Sequence, residues 1–449
     1  MSRQPDAVVV GAGIVGAACA LALAREGLRV LVLEGGFAGG GATAAAMGHL
    51  VVMDDSEAQF ALTSYSLRLW SELAGELPAD CEDDPCGTLW LAAGEAEMAR
   101  VRAKAGFYRA RGVAAEVLDA AQLAAAEPGL RRGLAGALRV PGDRVLYPPN
   151  AARFLLARAR ERGAELREGF VVTRLGDGVV EGRGGERIAA PLAVNAAGAA
   201  AAVLTPGLPV VPRKGHLVIT DRYPGSCRHQ LVELGYLDSA HGARAARGAE
   251  EEPAGSAEAA AARGAGAAAA ARTGAGAAAA SGAPADAEAK AGVAAGETAT
   301  MAGEASVAFN VQPRATGQVL IGSSREWAGW DRSHNHALER RMIRRALDFL
   351  PALGGATALR GWIGFRPATA DNLPLIGPCP EAPGVWIASG HEGLGITTSL
   401  ATARLVADLA AGRRPEIDPA PFAPGRLPAA GRGGASAQAS GAFDGSRRG

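Results

Sequence analysis

Neither sign of charge is in excess in this 449-residue chain, where 46 lysines and arginines balance 46 aspartates and glutamates. Such a balance lacks the electrostatic footprint that nucleic acid or an anionic membrane surface would require. Cysteine is scarce as well. Cys19, Cys81, Cys86, Cys227 and Cys379 are odd in number and none are spaced CxxC. Cys81 and Cys86 bracket two acids in CEDDPC, but zinc and iron–sulfur sites need further paired ligands, so reduced structural thiols and no metal are expected. P-loop, metal-spaced histidine cluster and Ser/His/Asp order are all missing. The apolar stretch 7–24 contains glycines and is short for a membrane span of about 20 residues. It follows Arg3 and ends in Ala22-Leu23-Ala24, like a secretory leader, but Asp6, the glycines and the strand beyond it argue instead for a cytoplasmic protein.

What is there begins with DAVVVGAGIVGAACALALAREGLRVLVLE, residues 6–34. A buried strand over 7–10 passes through Gly11-Ala12-Gly13-Ile14-Val15-Gly16 into a helix ending near Gly27. A second strand then stops at Glu34. This is a βαβ dinucleotide fingerprint with its acid about 20 residues on. Gly11 permits the tight turn, Gly13 lets backbone approach a pyrophosphate, and Gly16 lets helix and strand pack closely. The N–H groups at the helix start meet the phosphate charge, and Glu34 accepts from a ribose diol.

Further along, a glycine-rich loop covers 35–42. Helices are expected over 56–77, 95–111, 119–126 and 151–162, a strand over 87–92, and a strand pair over 169–175 and 187–190. An apolar strand then runs into Asn195-Ala196-Ala197-Gly198, a small-residue turn where backbone can lie against a ligand. From Val210 the pattern turns to strands, over 216–220, 230–234, 306–312 and 317–323, which suggests an antiparallel sheet. Residues 243–305, rich in Ala and Gly and without aromatics, read as a disordered insertion, and 421–449 as a disordered tail. A second glycine-rich strand–turn–helix closes the body. A strand over 385–389 leads to Gly390-His391-Glu392-Gly393-Leu394-Gly395 and a helix from Ile396 to about 411.

With both ends in view, the chain resembles the FAD-dependent D-amino-acid oxidase superfamily, in particular its glycine oxidase and D-amino-acid dehydrogenase branches. The resemblance rests on the fingerprint, on GFRPATADNLPLIGP and on ASGHEGLGITTSLATARLVADL. That last phrase is most similar to flavoprotein subunits of D-hydroxyproline dehydrogenases and hydrogen cyanide synthases. The resemblance implies an α/β fold: an FAD-binding Rossmann-like βαβ domain with a discontinuous second domain built on an antiparallel sheet. The cofactor domain would comprise 1–50, 145–205 and 355–420, and the substrate domain 51–144 and 206–354.

By position, the resemblance places Gly11, Ala12, Gly13, Ile14 and Gly16 along the FAD pyrophosphate and Glu34 at its ribose. Gly41, Ala42, Thr43 and Gly48 would follow the cofactor toward the flavin ring, with Val172, Ala197 and Gly198 beside adenine. Gly393, Leu394, Gly395 and Ile396 would lie at the pyrimidine end of the flavin. Two departures from the family pattern are Gly35-Gly36, where a basic residue often follows the acid, and alanines at 199–202 in place of an aromatic.

The same resemblance gives Arg366 the grip on an amino-acid carboxylate, a task for which a guanidinium fork is suited. His49 and Asn310 become candidates for the substrate pocket, His49 because an imidazole can titrate near neutrality. His391 and Glu392 lie in the turn near the ring, and Lys214 and Tyr236 are lesser candidates. The implied reaction is oxidation of a D-amino or cyclic imino acid, of D-proline or hydroxyproline type, by hydride transfer to FAD. A glycine/sarcosine-type oxidase and a flavin-bound electron-relay subunit are the alternatives. The partners implied are a small-molecule amino-acid substrate and, as electron acceptor, oxygen, a quinone or a redox partner subunit. A quinone would place the chain peripherally at the inner membrane face.

Overall fold

A computed structural model of the chain describes residues 4–235 and 305–428. The expected insertion thus lies outside the described residues apart from Ala305, as do Tyr236 and the tail beyond residue 428.

Two large sheets carry the architecture. The first has six strands in the order Leu375–Pro378, Val385–Ser389, Leu192–Asn195, Ala7–Val10, Val30–Leu33 and Glu165–Arg167. All neighbours are parallel except the first pair. Its central strands read as unbroken apolar runs because both faces are covered, one by helices and the other mainly by Leu175, Val180 and Ile188 of a small three-stranded sheet. Ala7–Val10 and Val30–Leu33 are buried at every residue. The helix Ile14–Arg25 follows the same logic: nine of its residues are buried, against Gly395–Ala410 and Pro148–Arg160.

The second sheet has eight strands: Ala358–Ala368, Val211–Thr220, Val319–Arg325, Ser306–Pro313, Gln230–Glu233, Thr88–Ala92, Gly136–Val140 and Glu116–Asp119. It is antiparallel as expected, save that Gln230–Glu233 and Thr88–Ala92 run parallel. Ala358–Ala368 belongs to this sheet, although the expected cofactor segment began at residue 355.

Other expectations need correction. The strands over 169–175 and 187–190 do not pair with each other. Val179–Gly182 lies between Val172–Gly176 and Arg187–Ala189 and pairs with both. The cause is Asp177-Gly178, whose positive φ values (53° and 69°) make the tight turn of a hairpin. The helix His336–Phe349 had gone unread. Its buried Leu338, Met342, Ala346 and Phe349 recur at helical spacing on an otherwise arginine-rich segment.

Residues 421–428 are not a free tail. Phe422 is 1% exposed, and Arg426 pairs with both carboxylate oxygens of Asp371 at 2.8 and 2.9 Å while donating to the carbonyls of Leu373 and Pro374. All five cysteines are free. Burial pushes the Cys19 thiol up to about 12, which suits a packing residue.

Candidate active site

The fingerprint turn is built so tightly that only glycine fits. Gly11 has φ +103°, and a Cβ there would stand 2.5 Å from the Ala196 carbonyl oxygen; a Cβ on Gly16 would collide with the carbonyl of Gly11. Gly13 supplies no side-chain cap to the helix. Thr43 Oγ1 reaches in instead and accepts from Ile14 N–H at 3.0 Å. Residues Gly41–Ala44 form a helical turn rather than open loop. Glu34 accepts from Ala12 N–H at 2.7 Å and from Gly36 N–H at 2.8 Å. Each of its oxygens keeps a second lone pair for a ribose hydroxyl. Ala197 and Gly198 turn beside this strand end, where Gly198 has φ +58° and its carbonyl accepts from Ser389 Oγ at 2.9 Å. Val172 opens a strand of the small three-stranded sheet and is partly buried.

The far glycine-rich turn meets His49. Thr397 Oγ1 donates to the His49 carbonyl at 2.8 Å, joining the start of Gly395–Ala410 to the strand His49–Leu50. Gly48, with φ +116°, lies so close to the Leu146 carbonyl that a side chain there would collide with it. The helix begins at Gly395, one residue earlier than expected, and Leu394 at its N-cap offers no side-chain bond. Its first N–H groups therefore carry the dipole's positive end into the site.

A cleft opens here, lined by His49, Gly393 and Leu394 on one side and by Trp90, Gln230 and Asn310 on the other. His49 differs from expectation. Its Nε2 is enclosed, with no partner among the described residues, and burial pushes its pKa down to about 3. It is a neutral imidazole, not a base titrating near neutrality. His391 is structural: 3% exposed, with Nε2 3.0 Å from Thr402 Oγ1.

Glu392, in the same turn, is the hub of an arginine cluster. Its Oε1 lies 3.1 Å from Arg213 Nη1 and 3.9 Å from Arg325 Nε, and its Oε2 lies 3.9 Å from Arg366 Nε. The residue is held at φ +49°, a conformation that L side chains seldom adopt. Arg366 sits at the back of this cluster and donates to the Ser324 carbonyl at 2.9 Å. Arg325, not Arg366, joins Glu392 and Asp55 in lining the cleft. Arg325 escaped notice in the sequence because it ends an ordinary-looking strand, in no motif. Lys214 lies apart, 99% buried and paired to Asp331 and Glu326. The fold also brings the ligand atoms of His334, His336 and Glu339 within 4.8 Å of one another, a grouping not foreseen from their spacing.

The model of one family, described as FAD dependent oxidoreductase (DAO), matches residues 6–409. The chain belongs to the DAO family of FAD-dependent oxidoreductases. The residues present fit that cofactor: glycine-only turns and an acid with free lone pairs at the end of one strand, and an uncapped helix start beside the cleft. Within the family, the glycine oxidase of Geobacillus kaustophilus is 27% identical over 437 residues, covering 94% of this chain and 97% of that protein. The crystal structure of glycine oxidase from the same organism superimposes with a TM-score of 0.73 at 26% identity, covering 94% and 99% of the two chains. The hydrogen cyanide synthase subunit HcnC of Pseudomonas aeruginosa is 26% identical over 95% of this chain and 97% of its own length. A glycine oxidase of Pseudomonas aeruginosa is 40% identical over 116 residues, a match that spans only about a third of that relative's length (32%). Among the described residues no helix is long and apolar enough to cross a membrane.

Proposed function

We propose that this DAO-family chain oxidises the C–N bond of a D-amino or cyclic imino acid, of D-proline or hydroxyproline type, to the imine. The observation that carries this reading is the gathering of Arg213, Arg325 and Arg366 around the single carboxylate of Glu392 at the edge of the cleft. Guanidiniums gathered at the edge of a cleft suit the planar, bidentate grip of a substrate carboxylate. A guanidinium bond to a charged group contributes about 1.5–3 kcal/mol.

Gly11, Gly13, Gly16, Thr43 and Glu34 would hold the adenosine and pyrophosphate half of FAD, and Gly393–Ile396 the flavin half. When bound, FAD supplies the two-electron acceptor that takes hydride from the substrate Cα. Arg325 at the cleft wall, with Arg366 behind it, holds the carboxylate and so fixes which way Cα–H points. The helix start at Gly395 favours negative charge accumulating at that end of the site. His49, being neutral, orients groups at Nε2 without carrying charge. With the amine bound neutral, the residues named here need supply no strong base.

We assign the protein to the cytoplasm, with electrons leaving to oxygen, a partner subunit or a quinone. Full-length similarity to a protein named as a subunit supports the second option. The test is anaerobic bleaching of the purified yellow protein by D-amino acids, glycine, sarcosine and prolines, followed by turnover with a dye acceptor. Flavin that none of them bleaches would point to an electron-relay subunit instead.

A further inference from the structure

The wall of the cleft opposite His49 is a sheet surface whose pleat separates two environments. In one cross-strand row, Trp90 pairs with Val232 and Val232 with Asn310, while Gln230 lies one pleat along on the same strand as Val232. Their neighbours Leu89, Leu231, Phe309 and Val311 point the other way, into an apolar core. The cleft-facing set is largely polar and deeply buried, with Trp90 and Gln230 each 2% exposed and Asn310 4%. Gln59, 4% exposed, closes in from the helix Glu57–Leu73. Trp90 Nε1, Gln230 Oε1, Asn310 Oδ1 and Gln59 Oε1 have no hydrogen-bond partner among the described residues.

Buried polar groups are normally paired, and each one left unpaired costs free energy. These four wall atoms, faced across the cleft by the equally unpaired His49 Nε2, call for a ligand that pairs with them. Its chemistry follows from theirs, one N–H donor among three carbonyl acceptors. An ammonium can only donate and would leave Trp90 unpaired; a carboxylate can only accept and would face the amide oxygens. A hydroxyl does both; so does a neutral amine, but the amine is the reacting group and stays at the carbon that faces the flavin, which leaves the wall to the hydroxyl. We infer that this wall receives a hydroxyl on the substrate side chain, with Trp90 donating to it and Gln230, Asn310 or Gln59 accepting from it. The substrate is then a hydroxylated amino or imino acid rather than its apolar parent. This rests on the amine-oxidation reading above.

Discrimination follows the rule for sites built to bond a hydroxyl: the analogue lacking it leaves the site's own groups unpaired. Each group so stranded is expected to cost about tenfold in kcat/KM. The experiment uses the flavin-loaded full chain and matched pairs, 4-hydroxy-D-proline isomers against D-proline and D-serine against D-alanine, with a dye acceptor. The hydroxylated member should win by about tenfold or more in at least one pair. Gln230→Leu and Asn310→Leu, checked for a retained flavin spectrum, should shrink that ratio by depressing the hydroxylated member more than its parent. Equal kcat/KM within both pairs, or preference for the apolar members, overturns the inference and means that water satisfies the wall. Should neither variant keep its flavin, the unmodified protein's ratios still decide. Flavin reduced by no amine at all overturns the amine-oxidation reading itself, an outcome distinct from reduction without hydroxyl preference.

Discussion

The guanidinium of Arg366 lies in the space that a side chain at Gly215 would occupy. A Cβ on Gly215 would stand 2.9 Å from Arg366 Cζ. The two residues lie on paired strands, where Arg366 faces Arg213 and Gly215 faces Gly364. The missing side chain is thus what lets the fork lie flat across the sheet toward Ser324 and Glu392. Gly215→Ala should push Arg366 off the Ser324 carbonyl and raise KM for the amino acid about tenfold or more. The flavin spectrum and cofactor content should remain, since Gly215 lies outside the fingerprint. A KM unchanged in steady-state kinetics would mean that the position of Arg366 does not matter.

Arg366→Ala removes the guanidinium altogether. Loss of one or two charge-assisted bonds at about 1.5–3 kcal/mol each predicts a fall in kcat/KM of at least about tenfold and up to roughly ten-thousandfold. Arg325→Ala should give a fall of similar size, because Arg325 lines the cleft beside the same carboxylate. If only Arg325→Ala impairs turnover while both variants stay yellow, the carboxylate anchor is Arg325.

At the other end of the cofactor cradle, Gly16→Ala should cost the protein its flavin. The new methyl would collide with the Gly11 carbonyl, a backbone atom that cannot swing away. Purified protein should be colourless or have lost most of its absorbance near 450 nm, with added FAD failing to restore it. A variant that binds FAD as the parent does would show that the turn is not where the pyrophosphate sits.

Asp143 gives a pH prediction with a definite sign. Complete burial raises its pKa from 3.8 to about 7, although Val52 N–H donates to it at 3.2 Å. Below pH 3.8 its carboxyl is protonated in both states and costs nothing. As pH rises to about 7 the unfolded chain ionises while the folded one holds its proton, so stability falls; above 7 the loss is complete. His49, with its pKa lowered to about 3, acts in the opposite direction, so the informative quantity is the difference between variant and parent. Asp143→Asn should match the parent near pH 4 and exceed it by about 2–4 kcal/mol at pH 8 in denaturant titrations. A difference independent of pH would show that Asp143 ionises normally.

The end of the described chain should matter for stability. Phe422→Ala, at a site 1% exposed, is expected to cost about 3–5 kcal/mol by equilibrium unfolding. Arg426→Ala should cost less, through loss of its Asp371 pair. Unchanged unfolding midpoints for both would mean that residues after 420 do not pack on the body.

The strand–turn–helix expected to hold the cofactor was legible from local sequence because its physics is local. Gly11, Gly13, Gly16 and Glu34 act through a turn and a helix start that 29 consecutive residues build by themselves, and the structure shows why nothing but glycine fits there. The turn Gly390–Gly395 was legible for the same reason. The helix His336–Phe349 was missed because four arginines hide its apolar stripe. The hairpin strand Val179–Gly182 was missed because it is short and flanked by glycines.

The substrate half depends on long-range geometry. Arg325 and Glu392 stand 67 positions apart in the chain and meet only because one ends a sheet strand and the other sits in the turn before the last helix. Trp90, Gln230 and Asn310 share a wall through strand register, which depends on Val232 pairing with Trp90, 142 positions before it, and with Asn310, 78 positions after it. The pKa of His49 likewise followed from enclosure rather than from residue type. Sequence alone determined that a dinucleotide cradle exists, since glycine and a carboxylate at fixed spacing dictate it. Tertiary structure decided which charges and which unpaired polar atoms face the cleft, because burial and register belong to the packed chain and not to any stretch of it.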